Sequence, residues 1–125
     1  MQLTDKVIVV TGGGDGIGKA LCLRFAQEKP HGIVVAELNL AAATAVAEEV
    51  GGLPVECNVA DESQIVRLVE ASHEKYGRID VFCSNAGIAF GGGVGATNAQ
   101  WQSIWDINLM SPEYAAWAVV QQMIA

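Results

Sequence analysis

The sequence predicts an α/β protein built on a doubly wound, three-layer parallel sheet. Three observations carry this. Four short apolar runs stand in order along the chain. An amphipathic helical pattern follows each of them. The first strand also runs straight into a glycine-rich turn. Short unbroken apolar strands alternating with helices are the signature of a parallel sheet covered on both faces.

The first strand is Val7 to Val10, and the glycine turn runs from Thr11 to Gly18. Ile17, Leu21 and Phe25, with Ala20 beside them, share one face of a helix that Pro30 and Gly32 stop. Ile33 to Ala36 is a second strand. Asn39 is placed to cap a helix with Leu40, Ala43, Ala47 and Val50 on one face, closed by Gly51. Pro54 to Val59 reads as a third strand. Asp61 with Gln64 has capping-box spacing, and Ile65, Leu68, Val69 and Ser72 carry that helix forward. Ile79 to Ser84 is a fourth strand, ended by Asn85-Ala86-Gly87. A glycine-rich loop reaches Gly95. Thr97 and Gln100 then cap one long last helix, in which Trp101 and Trp105 read as packing residues. No internal repeat or linker interrupts this, so residues 1–125 form one domain.

Composition narrows the function classes. The 125 residues suit a single domain that buries roughly two-thirds of its unfolded surface. Hydrophobic residues make up 51% and charged ones 17%, which predicts that some apolar surface is covered by something else. The net charge of −7 and the lack of a basic run argue against nucleic acid and anionic membrane as partners. Cys22, Cys57 and Cys83 are scattered in apolar runs, so neither a metal site nor a disulfide framework is expected. Met1 to Lys6 does not read as a signal peptide, and no apolar stretch has the length of a membrane span. The expectation is a soluble, cytoplasmic protein.

The turn reads Thr11-Gly12-Gly13-Gly14-Asp15-Gly16-Ile17-Gly18. It joins a strand to a helix N-terminus, where backbone amides and the helix dipole favour a pyrophosphate. Glycine belongs there because a Cβ would hold the backbone off the phosphates. The spacing is Gly-x-x-x-Gly-x-Gly, not Gly-x-Gly-x-x-Gly. A phosphate loop of the NTPase type is a rival reading, since Lys19 stands in place. Ala20, however, lacks the hydroxyl that would hold magnesium.

Glu37 closes the second strand about 20 residues past the last glycine, the place of the ribose-binding acid in dinucleotide sites. A carboxylate there accepts from the ribose hydroxyls and repels a 2′-phosphate. At ~4 Å and an effective dielectric near 20, a like-charge pair costs ~4 kcal/mol. A third of that is about a tenfold preference. Asp15 adds negative charge in the turn, and no Arg or Lys directly follows Glu37. The expected cofactor is NAD rather than NADP.

Thr11-Gly12-x-x-x-Gly16-x-Gly18, then Asn85-Ala86-Gly87, then Asn108 resemble the ordered pattern of the short-chain dehydrogenase/reductase family over essentially the whole chain. The resemblance implies a Rossmann-type fold with strand order 3-2-1-4, truncated here after the fourth strand and the helix that follows. It implies hydride transfer between a nicotinamide cofactor and an alcohol or carbonyl substrate. Gly12, Asp15, Gly16, Ile17, Gly18 and Glu37 would bind the adenosine half of the cofactor. Asn58 and Val59 would frame the adenine, Asn58 standing where the family usually has Asp. Asn85, Ala86 and Gly87 would lie where the sheet's end meets the cofactor.

Asn108 is the one active-site residue the resemblance assigns. In the family its carbonyl holds a water that leads to the active-site Lys. Pro112, four residues on, has no N–H, so the carbonyl of Asn108 loses its helical partner and a kink is expected. Ser111 stands where the family often has Gly.

The family's Tyr-x-x-x-Lys is absent. Asp80 follows Tyr76 at that spacing, and Ala118 follows Tyr114. The chain is therefore expected to be inactive alone, with the intact protein a homo-oligomer. Strand four is expected at a sheet edge, and the face carrying Ala116, Val119, Val120 and Met123 is expected to lose part of its cover. A stand-alone nucleotide-binding or remnant protein is the alternative reading.

Overall fold

A computed structural model describes all residues, 1–125. Four strands form one parallel sheet in the order β3-β2-β1-β4. They are β1 (Val7–Thr11), β2 (Gly32–Glu37), β3 (Leu53–Glu56) and β4 (Val81–Cys83). The expected fold and strand order are both present.

Alternation along the strands divides the core in two. Ile8, Val10, Ile33 and Val35 face α1 (Gly16–Ala26) and α2 (Leu40–Val50), packing with Cys22, Ala43, Val46 and Ala47. Val9, Val34 and Ala36 face the other way, toward Ile65, Leu68 and Val69 of α3 (Glu62–Tyr76) and Ala115 and Val119 of α5 (Ser111–Ile124). Successive strand side chains point to opposite faces, so an unbroken apolar run fills both layers.

Caps fall where their residue types predict. Asn39 accepts from the Ala42 N–H at 3.2 Å, and Gly51 closes α2 in the left-handed region. Thr97 and Gln100 make a reciprocal capping box on α4 (Asn98–Ile104). Asp61 caps α3 through the Ser63 N–H, and Gln64 donates from Nε2 to the Asp61 carboxylate at 3.1 Å without accepting from the Asp61 N–H. Gln64 Oε1 instead accepts from the Asn58 N–H at 2.8 Å, tying the β3 exit to α3. The capping box expected at Asp61 is therefore not formed.

Several expected boundaries move. β3 ends at Glu56, because Cys57 to Val59 bend into the turn that Gln64 holds. β4 shrinks to three residues and pairs only with β1, so it is an edge strand as expected. Its entrance is fixed by Asp80, whose carboxylate accepts from the Val7 N–H at 2.8 Å and from Arg78 Nε at 2.9 Å. Burial disfavours ionising Asp80, yet these donors and Lys6 outweigh it and hold the carboxyl below its usual range.

On α1, Ile17 is 75% exposed and Ala20 is exposed, so the core stripe is Leu21, Cys22, Phe25 and Ala26 instead. On α2, Leu40 is exposed and Val46 takes its place in the core. The four apolar-face residues expected on α3 are all buried.

The last helix is helical throughout from Asn98 to Ile124, as expected, but its middle is π-helical. A π-helical segment, Trp105–Met110, separates α4 from α5, and the Ser111 N–H reaches back to the Asp106 carbonyl. Pro112 lies in the first turn of α5 and cannot donate to the Asn108 carbonyl, and where a kink is expected the helix carries a π bulge. Trp101 and Trp105 are each more than half exposed and do not pack in this chain's core. On α5, Val119 is buried, whereas Ala116, Val120 and Met123 lie exposed beside it. No helix is long and apolar enough to cross a membrane.

Candidate functional site

The strand ends carry a cleft of about 420 Å³. It opens at β1, between β2 and β4, where the direction of strand order reverses. That is where ligands enter open α/β sheets. Gly12, Asp15, Gly16, Ile17, Gly18, Glu37, Asn58, Val59, Asn85, Ala86 and Gly87 all line it. The four segments that follow β1, β2, β3 and β4 therefore converge, although they lie up to 75 residues apart in the chain.

The glycine turn packs more tightly than spacing alone discloses. Gly12 has φ of +65° and would place a Cβ 3.0 Å from the Ala86 Cα. A Cβ on Gly18 would stand 1.9 Å from the Gly12 carbonyl oxygen. The helix start and the turn are thus in backbone contact, which only glycine permits. Around Gly16 there is open space. The first-turn amides of α1 have no intrahelical acceptor, and Asp15, the N-cap residue, makes no side-chain bond to them. They are free to meet an anion in the cleft.

Glu37 ends β2 with both carboxylate oxygens held. Oε2 accepts from the Gly14 N–H at 3.2 Å and Oε1 from the Leu38 N–H at 2.8 Å. Asn58 is only partly free, because its Oδ1 accepts from the Ala60 N–H at 3.1 Å. One lone pair of that oxygen remains for a ligand.

The β4 exit is bound to the glycine turn through Thr11. Its buried hydroxyl donates to the Cys83 carbonyl and accepts from the N–H groups of Asn85 and Ala86, at 3.3, 3.0 and 3.2 Å. Asn85 Nδ2 returns a bond to the Thr11 carbonyl at 3.0 Å. Asn108 stands outside the cleft lining, and its side chain holds the backbone of Ile88. Gly87 runs past it, with room for a Cβ at 3.4 Å from Asn108 Oδ1.

Sequence reasoning missed four lining residues, Leu38, Cys57, Ile88 and Ile107, and the central role of Thr11. A threonine closing an apolar strand ahead of a glycine turn was the available signal for Thr11. The four others carry ordinary apolar side chains, and no pattern marks them. Burial pushes the Cys57 thiol up to about 11, so it stays protonated in the cleft at neutral pH. Lys19 points away from the cleft and pairs with Glu49 at 3.1 Å, so it is not posed as a phosphate-loop lysine.

The model of the family described as short chain dehydrogenase matches residues 6–125. A galactitol 2-dehydrogenase from Agrobacterium fabrum is 34% identical over 128 residues, covering 100% of this chain and 50% of that protein. A 3-oxoacyl-(acyl-carrier-protein) reductase FabG from Thermotoga maritima is 35% identical over 130 residues, with 99% and 52% covered. The crystal structure of a short-chain type dehydrogenase/reductase from Mycobacterium marinum superimposes with a TM-score of 0.91 at 27% identity, over 98% of this chain and 50% of that one.

With its parallel sheet and strand-end cleft, the chain belongs to the short-chain dehydrogenase family. It spans about half the length of the curated relatives it matches. Nicotinamide dinucleotides are the cofactors of this family in general.

Proposed function

We propose that this chain supplies the adenosine half of an NAD site in an oxidoreductase acting on an alcohol or carbonyl compound. One observation carries the reading. The Glu37 carboxylate sits at the β2 end of the cleft, held by two backbone amides, across from the open N-terminus of α1. The geometry suits a ribose diol against the acid and a pyrophosphate against the helix amides. A 2′-phosphate would meet the Glu37 charge, with Asp15 adding to the repulsion, which favours NAD over NADP. Gly12, Gly16, Ile17 and Gly18 let the backbone approach the phosphates, Asn58 and Val59 border the adenine, and Asn85, Ala86 and Gly87 close the far side.

When bound, the nicotinamide would carry the hydride. A proton donor must also stand within reach of the substrate. Tyr76 and Tyr114 lack the lysine at the family's spacing, so these 125 residues alone are proposed to have little or no dehydrogenase activity. Asn108 is proposed as the one active-site residue among them. The exposed Trp101, Trp105 and Trp117 on the last helices support association of the intact protein with further copies. Three unpaired cysteines fit a reducing compartment such as the cytoplasm.

Calorimetric titration with NAD+ and NADP+ tests the reading. The wild-type chain should prefer NAD+, and Glu37→Ala should weaken NAD+ binding and narrow the gap to NADP+. Unchanged binding of both would remove Glu37 from the ribose site.

A further inference from the structure

We infer that Gly14 is the positioning residue that sets cofactor discrimination at Glu37, an inference that rests on the NAD reading above. Gly14 does not line the cleft. Its N–H nevertheless donates to Glu37 Oε2 at 3.2 Å, while Leu38 holds the other oxygen at 2.8 Å. A carboxylate offers about four lone-pair sites. With one on each oxygen used by an amide, one on each remains, and the pair matches two adjacent hydroxyls.

The approach depends on the missing Cβ. A Cβ at position 14 would stand 2.8 Å from Glu37 Cγ, 3.1 Å from Oε2 and 2.9 Å from Ala42 Cβ. The contacts with Glu37 Cγ and Ala42 Cβ are closer than atoms pack, so something must yield. Ala42 is fixed on α2 beside its N-cap Asn39. Glu37 is only part-buried and turns about its own side-chain torsions, so the glutamate is the group that moves. Gly14 is also outside the left-handed region, unlike Gly12 and Gly16. Alanine there brings no backbone strain, and its effect reads out on Glu37.

The test is calorimetric titration of NAD+ and NADP+ into the full chain as wild type, Gly14→Ala, Glu37→Ala and the double variant, with thermal unfolding followed for each. Gly14→Ala should lower NAD+ affinity by about tenfold and leave NADP+ affinity within about twofold, since the charge-assisted contact to the diol is lost while the phosphate site stays. Adding Gly14→Ala to Glu37→Ala should change NAD+ binding by less than about twofold, because one residue acts through the other.

Equal loss of both cofactors, no loss of NAD+ binding, or additive effects would overturn the role of Gly14 while leaving the Glu37 reading intact. An unchanged NAD+ to NADP+ ratio in Glu37→Ala would overturn that reading and this inference with it. If Gly14→Ala fails to fold, Gly14→Ala/Ala42→Gly removes the contact with α2 and keeps the one with Glu37. It must still lose the NAD+ preference for the inference to stand.

Discussion

Asn108 grips the backbone of Ile88 at two points: its Oδ1 accepts from the Ile88 N–H at 2.9 Å, and its Nδ2 donates to the Ile88 carbonyl at 2.8 Å. The side chain thus imitates a neighbouring strand for one residue of the loop after β4. It ties that loop, 20 residues away in sequence, to the π segment of the last helix. Asn108→Ala should cost about 1 kcal/mol, the net worth of such bonds near solvent. Hydrogen exchange checks this locally, with the Ile88 amide losing protection while the β1 amides keep theirs.

Gly18→Ala should be far more damaging. Its Cβ would fall 1.9 Å from the Gly12 carbonyl oxygen and 2.7 Å from Asn85 Nδ2. Asn85 itself braces the Thr11 carbonyl, so the turn has no direction in which to yield. The expected loss is about 3 kcal/mol, at the upper end for overpacking. Urea unfolding should show a lower midpoint, and cofactor binding should fall with it.

Thr11→Val keeps the shape and removes the hydroxyl. The Asn85 and Ala86 N–H groups and the Cys83 carbonyl would then lose a shared partner at a position 2% exposed. A cost of about 2 kcal/mol is expected. The same substitution should loosen the β4 side of the cleft, which titration with NAD+ reads as weaker binding.

At high pH the buried thiols should destabilise the fold. Burial pushes both Cys22 and Cys57 up to about 11, above the unfolded value near 9. The native state therefore holds these protons more tightly than the unfolded chain. Their contribution is complete below about pH 9 and is lost as pH rises toward 11. Thermal unfolding across that range should fall more steeply for wild type than for Cys22→Ala/Cys57→Ala. Parallel curves would show that the thiols do not drive it.

Acid should act through Asp80. Its carboxyl is held below the usual range once the Val7 N–H, Arg78 and Lys6 outweigh burial. Its contribution is present above the unfolded carboxyl value of about 4 and fades as pH drops through the lower folded value. Asp80→Asn should flatten the acid limb of the stability profile and release the β1 entrance.

The sequence by itself determined the α/β class, the strand order through the family pattern, the caps at Asn39, Gly51 and Thr97, and the buried face of α3. Apart from the strand order, which came through the resemblance, each is a local signal, an apolar period, a capping residue or a glycine, that neighbouring residues are enough to express. It also named the residues that the structure gathers into one cleft, because the glycine turn, the acid after β2 and the Asn-Ala-Gly after β4 carry their own spacing.

Tertiary structure decided the rest. Gln64 bridges the Asn58 N–H and the Asp61 carboxylate instead of closing a capping box, because the β3 exit lies within its reach. Ile17 lines the cleft and is exposed there instead of packing in the core. The service of Gly14 to Glu37, of Thr11 to Asn85 and of Asn108 to Ile88 spans 20 to 74 residues. No local period records such a pairing, because it exists only once the strands have stacked and brought their loops to one edge.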